Sequence, residues 1–266
     1  MESFIRMFAA AILAAVTSAS NTIPGTFALT GGQADVRATL TVQSRSASGV
    51  AISIQEHAGG KAVTAYESDM MYRMHLIVVR SDFQQFFHIH PKFDEVSGVF
   101  RTTLPIDATH TYYAYADTYP MTLNRQVFRF VLTPTGIAGT PVPISMEASG
   151  LNQPAGPYTI HLEKTTLAAM NDLQTLAIDI IRNGKPAADI HPYLGMAGHV
   201  VFINVATLAY SHVHPVMNGS DAVSVGFAGP HLVLRVPPVP AGIYKLWFQF
   251  RGGKKLYVGA YTIAVR

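Results

Sequence analysis

One pattern occurs twice in this chain. Residues 74–91 read MHLIVVRSDFQQFFHIHP, and residues 198–215 read GHVVFINVATLAYSHVHP. In each, a histidine precedes an apolar run and His-x-His-Pro closes the segment. A single offset of 124 residues relates His75 to His199, His88 to His212, His90 to His214 and Pro91 to Pro215. Upstream, Gly60-Lys61 maps onto Gly184-Lys185 at the same offset. Six of the eleven histidines therefore sit at repeated positions. A chain of 266 residues has room for two ordinary domains, so the repeat predicts an internal duplication.

Around the repeat the apolar residues alternate with period two, the signature of half-buried strands. Between Gln33 and Gln43, Val36, Ala38, Leu40 and Val42 fall on one side and Arg37, Thr39 and Thr41 on the other. Val50, Ile52 and Ile54 continue the pattern. Gly98–Leu104, Thr111–Ala116 and Gln126–Leu132, rich in Tyr, Phe and Thr, are further strands. The second half repeats the order with Tyr158–Leu162, Leu173–Ile180, Leu232–Val236, Ile243–Phe250 and Lys255–Val265. Arg251-Gly-Gly-Lys254 reads as a tight hairpin turn. Beyond the histidine segments the offset becomes 132, aligning Leu104-Pro105 with Val236-Pro237 and Tyr112 with Tyr244, as eight extra residues around Asn218–Gly229 would produce. Turn signals about every 8–12 residues point to antiparallel sandwiches. The expected fold is all-β: two tandem immunoglobulin-like antiparallel β-sandwich domains, residues 33–134 and 157–266. A connector at 135–156 carries the Pro/Gly-rich composition that begins at Pro134. One short helix is expected at Thr166–Asp172.

Residues 1–19 read as a signal peptide: one basic residue, the apolar run Met7–Val16, then Thr17-Ser18-Ala19, with Ala28 as a second cleavage position. No other stretch reaches the roughly 18 apolar residues of a membrane span. The expectation is an exported periplasmic or extracellular protein, with no membrane span after cleavage. Charged residues make up 13% of the chain, the net charge is +3, and no basic face is clustered, which argues against nucleic acid as a partner. Cysteine is absent, which excludes a lipoprotein anchor, thiolate zinc, iron–sulfur clusters and the blue-copper centre built from two histidines and a cysteine. A metal here must use His, Met, carboxylate or backbone oxygen.

The histidine spacing fits such a site. Alternate side chains of a strand share a face, so His88 and His90 lie together, as do His212 and His214. A four-residue loop at Ser81–Gln84 places His75 opposite His90, and a two-residue loop places it opposite His88. Either even-length loop puts all three imidazoles on one face, whereas an odd-length loop sends His75 to the other. Opposed Cβ atoms stand roughly 4.5–5.5 Å apart, within reach of a shared ion. Imidazole suits both copper and zinc. Met70, Met71, Met74 and Met196 tilt the expectation towards copper, although Met74 falls on the face opposite His75.

The same hairpin admits a structural reading. Ile77, Val79 and Phe86 lie with the histidines, and Leu76, Val78, Phe87 and Ile89 oppose them. One face lines its own core, and the other needs a cover: the companion domain, a homodimer or an envelope partner protein. The histidines there would be satisfied by hydrogen bonds in a non-metal interaction module. His191 is an accessory candidate whose counterpart is Glu67, and His57, His110, His161 and His231 have no histidine counterpart.

Catalytic motifs are weak. His88-x-His90 followed by Glu95 resembles the first cupin motif, but Asp82 replaces its glycine and the second copy lacks the glutamate. Gly-x-Ser-x-Gly, phosphate-binding loops and His-Glu-x-x-His are all absent. A three-histidine metalloenzyme or cupin-like enzyme is thus an alternative without a general base or nucleophile to support it. The paired pattern, His-Leu-Ile-Val-Val with Phe-x-His-Ile-His-Pro and Tyr-Leu-Gly-Met-x-Gly-His-Val-Val with His-Val-His-Pro, resembles a group of exported bacterial proteins of largely unassigned function. Over Leu173–Pro215 it is similar to YtkA-like immunoglobulin-type modules. That resemblance implies copper handling or a cell-envelope role. The expected function is sequestration or delivery of a transition metal, copper before zinc, through His75, His88, His90, His199, His212 and His214.

Overall fold

A computed structural model describes residues 22–28, 35–107, 109–133, 144–169, 173–217 and 226–266. The expected signal peptide and residues 134–143 of the connector region lie outside the described residues. The chain forms the expected pair of tandem sandwiches from four sheets, antiparallel except where Thr166–Leu167 runs parallel to Lys255–Val265. In the first half, one sheet runs in the order Thr22–Pro24, Val36–Ser46, Gly49–Ala58, Val99–Leu104, Lys92–Asp94. Its partner runs Thr26–Phe27, Gln126–Leu132, Tyr112–Thr118, Met74–Arg80, Phe86–Ile89. The second half repeats both: Asn152–Ala155, Tyr158–Leu162, Gln174–Arg182, His231–Val236, Pro215–Val216, and Thr166–Leu167, Lys255–Val265, Gly242–Gly252, His199–Asn204, Tyr210–Val213.

Each half has its own core. In the first, Val36, Leu40, Ile52 and Phe100 of one sheet meet Leu76, Val78, Tyr112 and Phe128 of the other. In the second, Ile160, Ile178 and Leu234 meet Phe202, Leu246 and Phe250. A third core lies between the halves, where Ile77, Val79, Phe83, Tyr115 and Val127 pack against Val201, Ile203, Tyr210 and Trp247. This is why Met74 to Val79 is buried on both faces of its strand: Leu76 and Val78 face their own sandwich, and His75, Ile77 and Val79 face the other. The cover that the apolar histidine face requires is the companion half. Each such aliphatic or aromatic side chain, fully buried, contributes roughly 1.5–3 kcal/mol.

The contact is pseudo-two-fold. Phe86 stacks on Trp247 with centroids 5.2 Å apart, and Tyr210 stacks on Tyr115 at 4.9 Å. The two offsets exchange these pairs, since Phe86 corresponds to Tyr210 and Tyr115 to Trp247. Thus the same two positions meet twice, as in an isologous dimer interface, within one chain.

Three local expectations change. Thr166–Leu167, expected to open a helix, is a strand because its backbone pairs with the sheet edge at Ala264 and Val265; residues 170–172 of that segment lie outside the described residues. Asn152–Ala155 falls inside the stretch expected as connector but pairs with Tyr158–Leu162 as an edge strand, and Thr22–Phe27 contributes two strands ahead of Gln33.

Candidate metal centre

The loop after Met74–Arg80 has four residues. Leu76 pairs with Ile89 and Ile77 with His88, and Arg80 N donates to Gln85 O at 3.1 Å, so His75 lies opposite His90. The second hairpin is the same, with Val200 opposite Val213 and Asn204 N donating to Ala209 O at 2.9 Å. Both loops are built by a side-chain oxygen. Asp82 Oδ1 accepts from Gln84 N at 3.0 Å, and Asn204 Oδ1 accepts from Ala206 N and Thr207 N at 3.0 and 2.9 Å. Phe83 and Leu208 take left-handed φ of 60° in each. Even loop length puts all three histidines of each copy on one face.

The pseudo-two-fold then brings both triplets to one place. His75, His88, His199 and His212 form a buried cluster whose ligand nitrogens lie within 4.8 Å of one another and could hold a metal ion. Tighter groupings exist inside it. His75 Nδ1 is 2.8 Å from His88 Nε2 and 3.3 Å from His90 Nε2. His199 Nδ1 is 3.3 Å from His212 Nε2 and 3.1 Å from His214 Nε2. A tetrahedral ion with nitrogens at roughly 2.0–2.1 Å would space them by about 3.3 Å.

Outer contacts decide which nitrogens carry protons. His75 Nε2 lies 2.9 Å from Asp69 O, and His199 Nε2 lies 3.3 Å from Tyr193 O. A carbonyl only accepts, so both Nε2 atoms donate and both Nδ1 atoms present lone pairs inward. His88 Nδ1 donates to Gln249 Oε1 at 2.9 Å, leaving His88 Nε2 bare. Consequently His75 Nδ1 and His88 Nε2 face each other at 2.8 Å with a lone pair on each and no proton between. That contact is repulsive unless a cation sits against both. Burial, first, and the neighbouring imidazoles push the pKa values of His75, His88 and His199 down, and bring those of His90 and His214 down to about 3. Neutral rings with inward lone pairs are what a metal ion requires.

The supporting groups cross the boundary reciprocally. Gln249 of the second half holds His88 of the first, while Asp117 of the first stands 3.6 Å from Nδ1 of His212 of the second. Asp117 pairs with His75 in its sheet, and Gln249 pairs with His199, at corresponding positions 132 residues apart. Asp117, 2% exposed, is also held by Arg125 and by the Tyr210 hydroxyl at 3.2 Å. Burial opposes its ionisation, but the bonds from Arg125 and the His212 contact outweigh it and keep the carboxylate ionised well below its usual range.

Sequence reasoning named the four clustered histidines, together with His90 and His214, and missed the groups that support them. The signal for Asp117 and Gln249 was the same 132-residue offset that aligns Tyr112 with Tyr244. Asp69 and Tyr193, also 124 apart, supply their carbonyls from matching tight turns, where Asp69 bridges Tyr72 and Tyr193 bridges Met196. Of the methionines, Met74 is buried in the first core, on the face away from the histidines, and Met71 is 74% exposed. His191 instead meets Gly226 O at 2.7 Å. A cleft of about 730 Å³ follows the same boundary, with Ala209–Val213 on one side and Pro237–Pro240 on another, but the His212 side chain, 1% exposed, is sealed from it.

A comparison with curated proteins finds no match. Residues 29–133 and 153–266 both match a family described as a domain of unknown function (DUF8832), and the chain belongs to that family.

Proposed function

We propose that this protein binds a transition metal ion, copper before zinc, at the interdomain histidine centre, and serves to sequester or deliver it. The observation that carries this reading is the 2.8 Å approach of His75 Nδ1 to His88 Nε2 with both outer N–H groups already committed. Copper is favoured because the ligands are neutral. The nearby Asp117 is offset by Arg125, so little protein charge is present to balance a divalent ion in a dry site. The resemblance to YtkA-like modules supports the same choice.

Export supports a role in the periplasm or outside the cell. The signal-like residues 1–19 precede strands Thr22–Pro24 and Thr26–Phe27, which pair into both sheets of the first sandwich. Cleavage near Ala19 keeps these strands, whereas cleavage after Ala28 removes them.

A structural role for the histidines is the second reading, favoured by the apolar core that surrounds them. Calorimetric titration of the metal-stripped protein with copper and zinc separates the two. The metal reading expects uptake that is abolished by His75→Ala with His199→Ala. Absence of uptake by the wild-type protein, folded and metal-free, would establish the structural role instead.

A further inference from the structure

The two histidine triplets are each complete. In each, one Nδ1 meets two Nε2 atoms at 2.8–3.3 Å, close to the spacing a single ion imposes. The four-histidine grouping across the boundary is looser, extending to 4.8 Å. Rings of opposite halves approach at steep angles rather than stacking, His75 with His212 at 5.2 Å and 59° and His88 with His199 at 5.1 Å and 70°. The geometry therefore offers two neighbouring three-nitrogen positions rather than one four-nitrogen position.

Those positions differ in the group behind one ligating ring, which the duplication would otherwise have made equal. His88 is backed by the neutral carboxamide of Gln249, and His212 by the carboxylate of Asp117. A carboxylate behind a ligating imidazole raises its basicity and stabilises the cation it holds. At 3.6 Å the Asp117 contact is longer than a formed hydrogen bond and acts through its charge. Arg125 and the Tyr210 hydroxyl share the oxygen nearest His212 and so weaken its pull, but a partly offset carboxylate still carries more negative charge than the carboxamide of Gln249.

Resting on the metal-binding reading above, we propose that the centre is dinuclear and unequal. One ion is held by His199, His212 and His214 and fills first; a second, held by His75, His88 and His90, follows. Monovalent copper suits it best, since repulsion between two ions grows with the product of their charges, about fourfold from a monovalent to a divalent pair.

The test is anaerobic titration of the metal-stripped full-length chain with Cu(I) against a competing chelator, with bound copper counted by mass spectrometry. The expected result is two ions per chain in two steps at least about tenfold apart, as supporting-group differences produce. His88→Ala with His90→Ala keeps one ion at the tighter affinity, and His212→Ala with His214→Ala keeps one at the weaker. Gln249→Glu, nearly isosteric, narrows the gap by about tenfold. A single ion per chain, lost in both double variants, would overturn the dinuclear centre and leave the metal reading standing. Two equal steps that ignore Gln249→Glu would overturn the inequality. No copper at all removes the metal reading, and this proposal with it.

Discussion

Gln249 Oε1 accepts a hydrogen bond from His88 Nδ1 at 2.9 Å across the boundary between the two sandwiches. That one bond fixes a tautomer in one half by means of a residue in the other. Gln249→Leu removes the acceptor at nearly constant volume, freeing His88 to place its proton on Nε2, where it satisfies His75 Nδ1. Copper affinity is expected to fall about 10–100-fold, while the denaturation midpoint moves little. Competition with a chelator measures the first effect and urea unfolding the second.

Trp247 is the largest side chain in the third core, 3% exposed and stacked on Phe86. Trp247→Ala opens a cavity between the halves and should cost about 3–5 kcal/mol. Chemical denaturation followed by two probes would detect the loss, and loosening of the boundary should weaken copper binding alongside it.

Arg125, 27% exposed in its side chain, pairs with Asp117, which is buried at 1%. Removing one partner of such a pair costs about 3–5 kcal/mol. Arg125→Met should therefore destabilise the fold, yet it leaves the carboxylate free to act on His212. Lower stability together with tighter copper binding at the second-half triplet is the expected signature, read from denaturation and chelator competition on the same sample.

Glu56 is fully buried in the first sandwich, and burial raises its pKa from 4.5 to about 8, although the Thr118 hydroxyl bond at 2.8 Å works against the rise. The unfolded chain loses this proton near its ordinary value, while the folded chain keeps it. The associated stability is fully present below about 4.5 and lost as pH rises through about 8. Glu56→Gln should abolish that slope, so the variant gains on wild type between about pH 5 and pH 8 by a few kcal/mol, in order of magnitude. Melting curves across this range test it.

The turn that presents Asp69 O to His75 passes through Met70 and Met71 at φ of 43° and 76°. Left-handed geometry costs a non-glycine residue roughly 1–2 kcal/mol. The second copy meets the same demand with Leu194-Gly195, at 54° and 77°. Met71→Gly discards no packing, since Met71 is 74% exposed, and should raise stability by about 0.5–1 kcal/mol, the strain relieved being partly offset by glycine's chain entropy. Thermal unfolding would show it as a rise of a few degrees.

Much of this architecture was legible because period-two alternation is a local signal. Gln126–Leu132, Tyr158–Leu162 and Lys255–Val265 fall where alternation places them, whereas the face of His75 hung on a loop parity that the sequence left open and the pairing of Ile77 with His88 settles. What covered that face was not legible, since an apolar stripe does not specify whether its partner is in the same chain. Asp117 escaped notice for a related reason: its role depends on His212, 95 residues away and in the other sandwich. Thr166–Leu167 misled because two residues at a sheet edge carry no period.

The exchange of supports across the boundary constrains how this duplicated chain can change. Gln249 serves a histidine of the other copy, and so does Asp117. A substitution that suited one copy alone would be judged by its effect on its neighbour's site. Duplicates ordinarily drift apart because either can lose what the other retains. Here each copy keeps in trust a part the other needs, so the pair inherits as a unit, and one departure from symmetry, a carboxylate at the position where the other copy has a carboxamide, lies where the two copies depend on each other most.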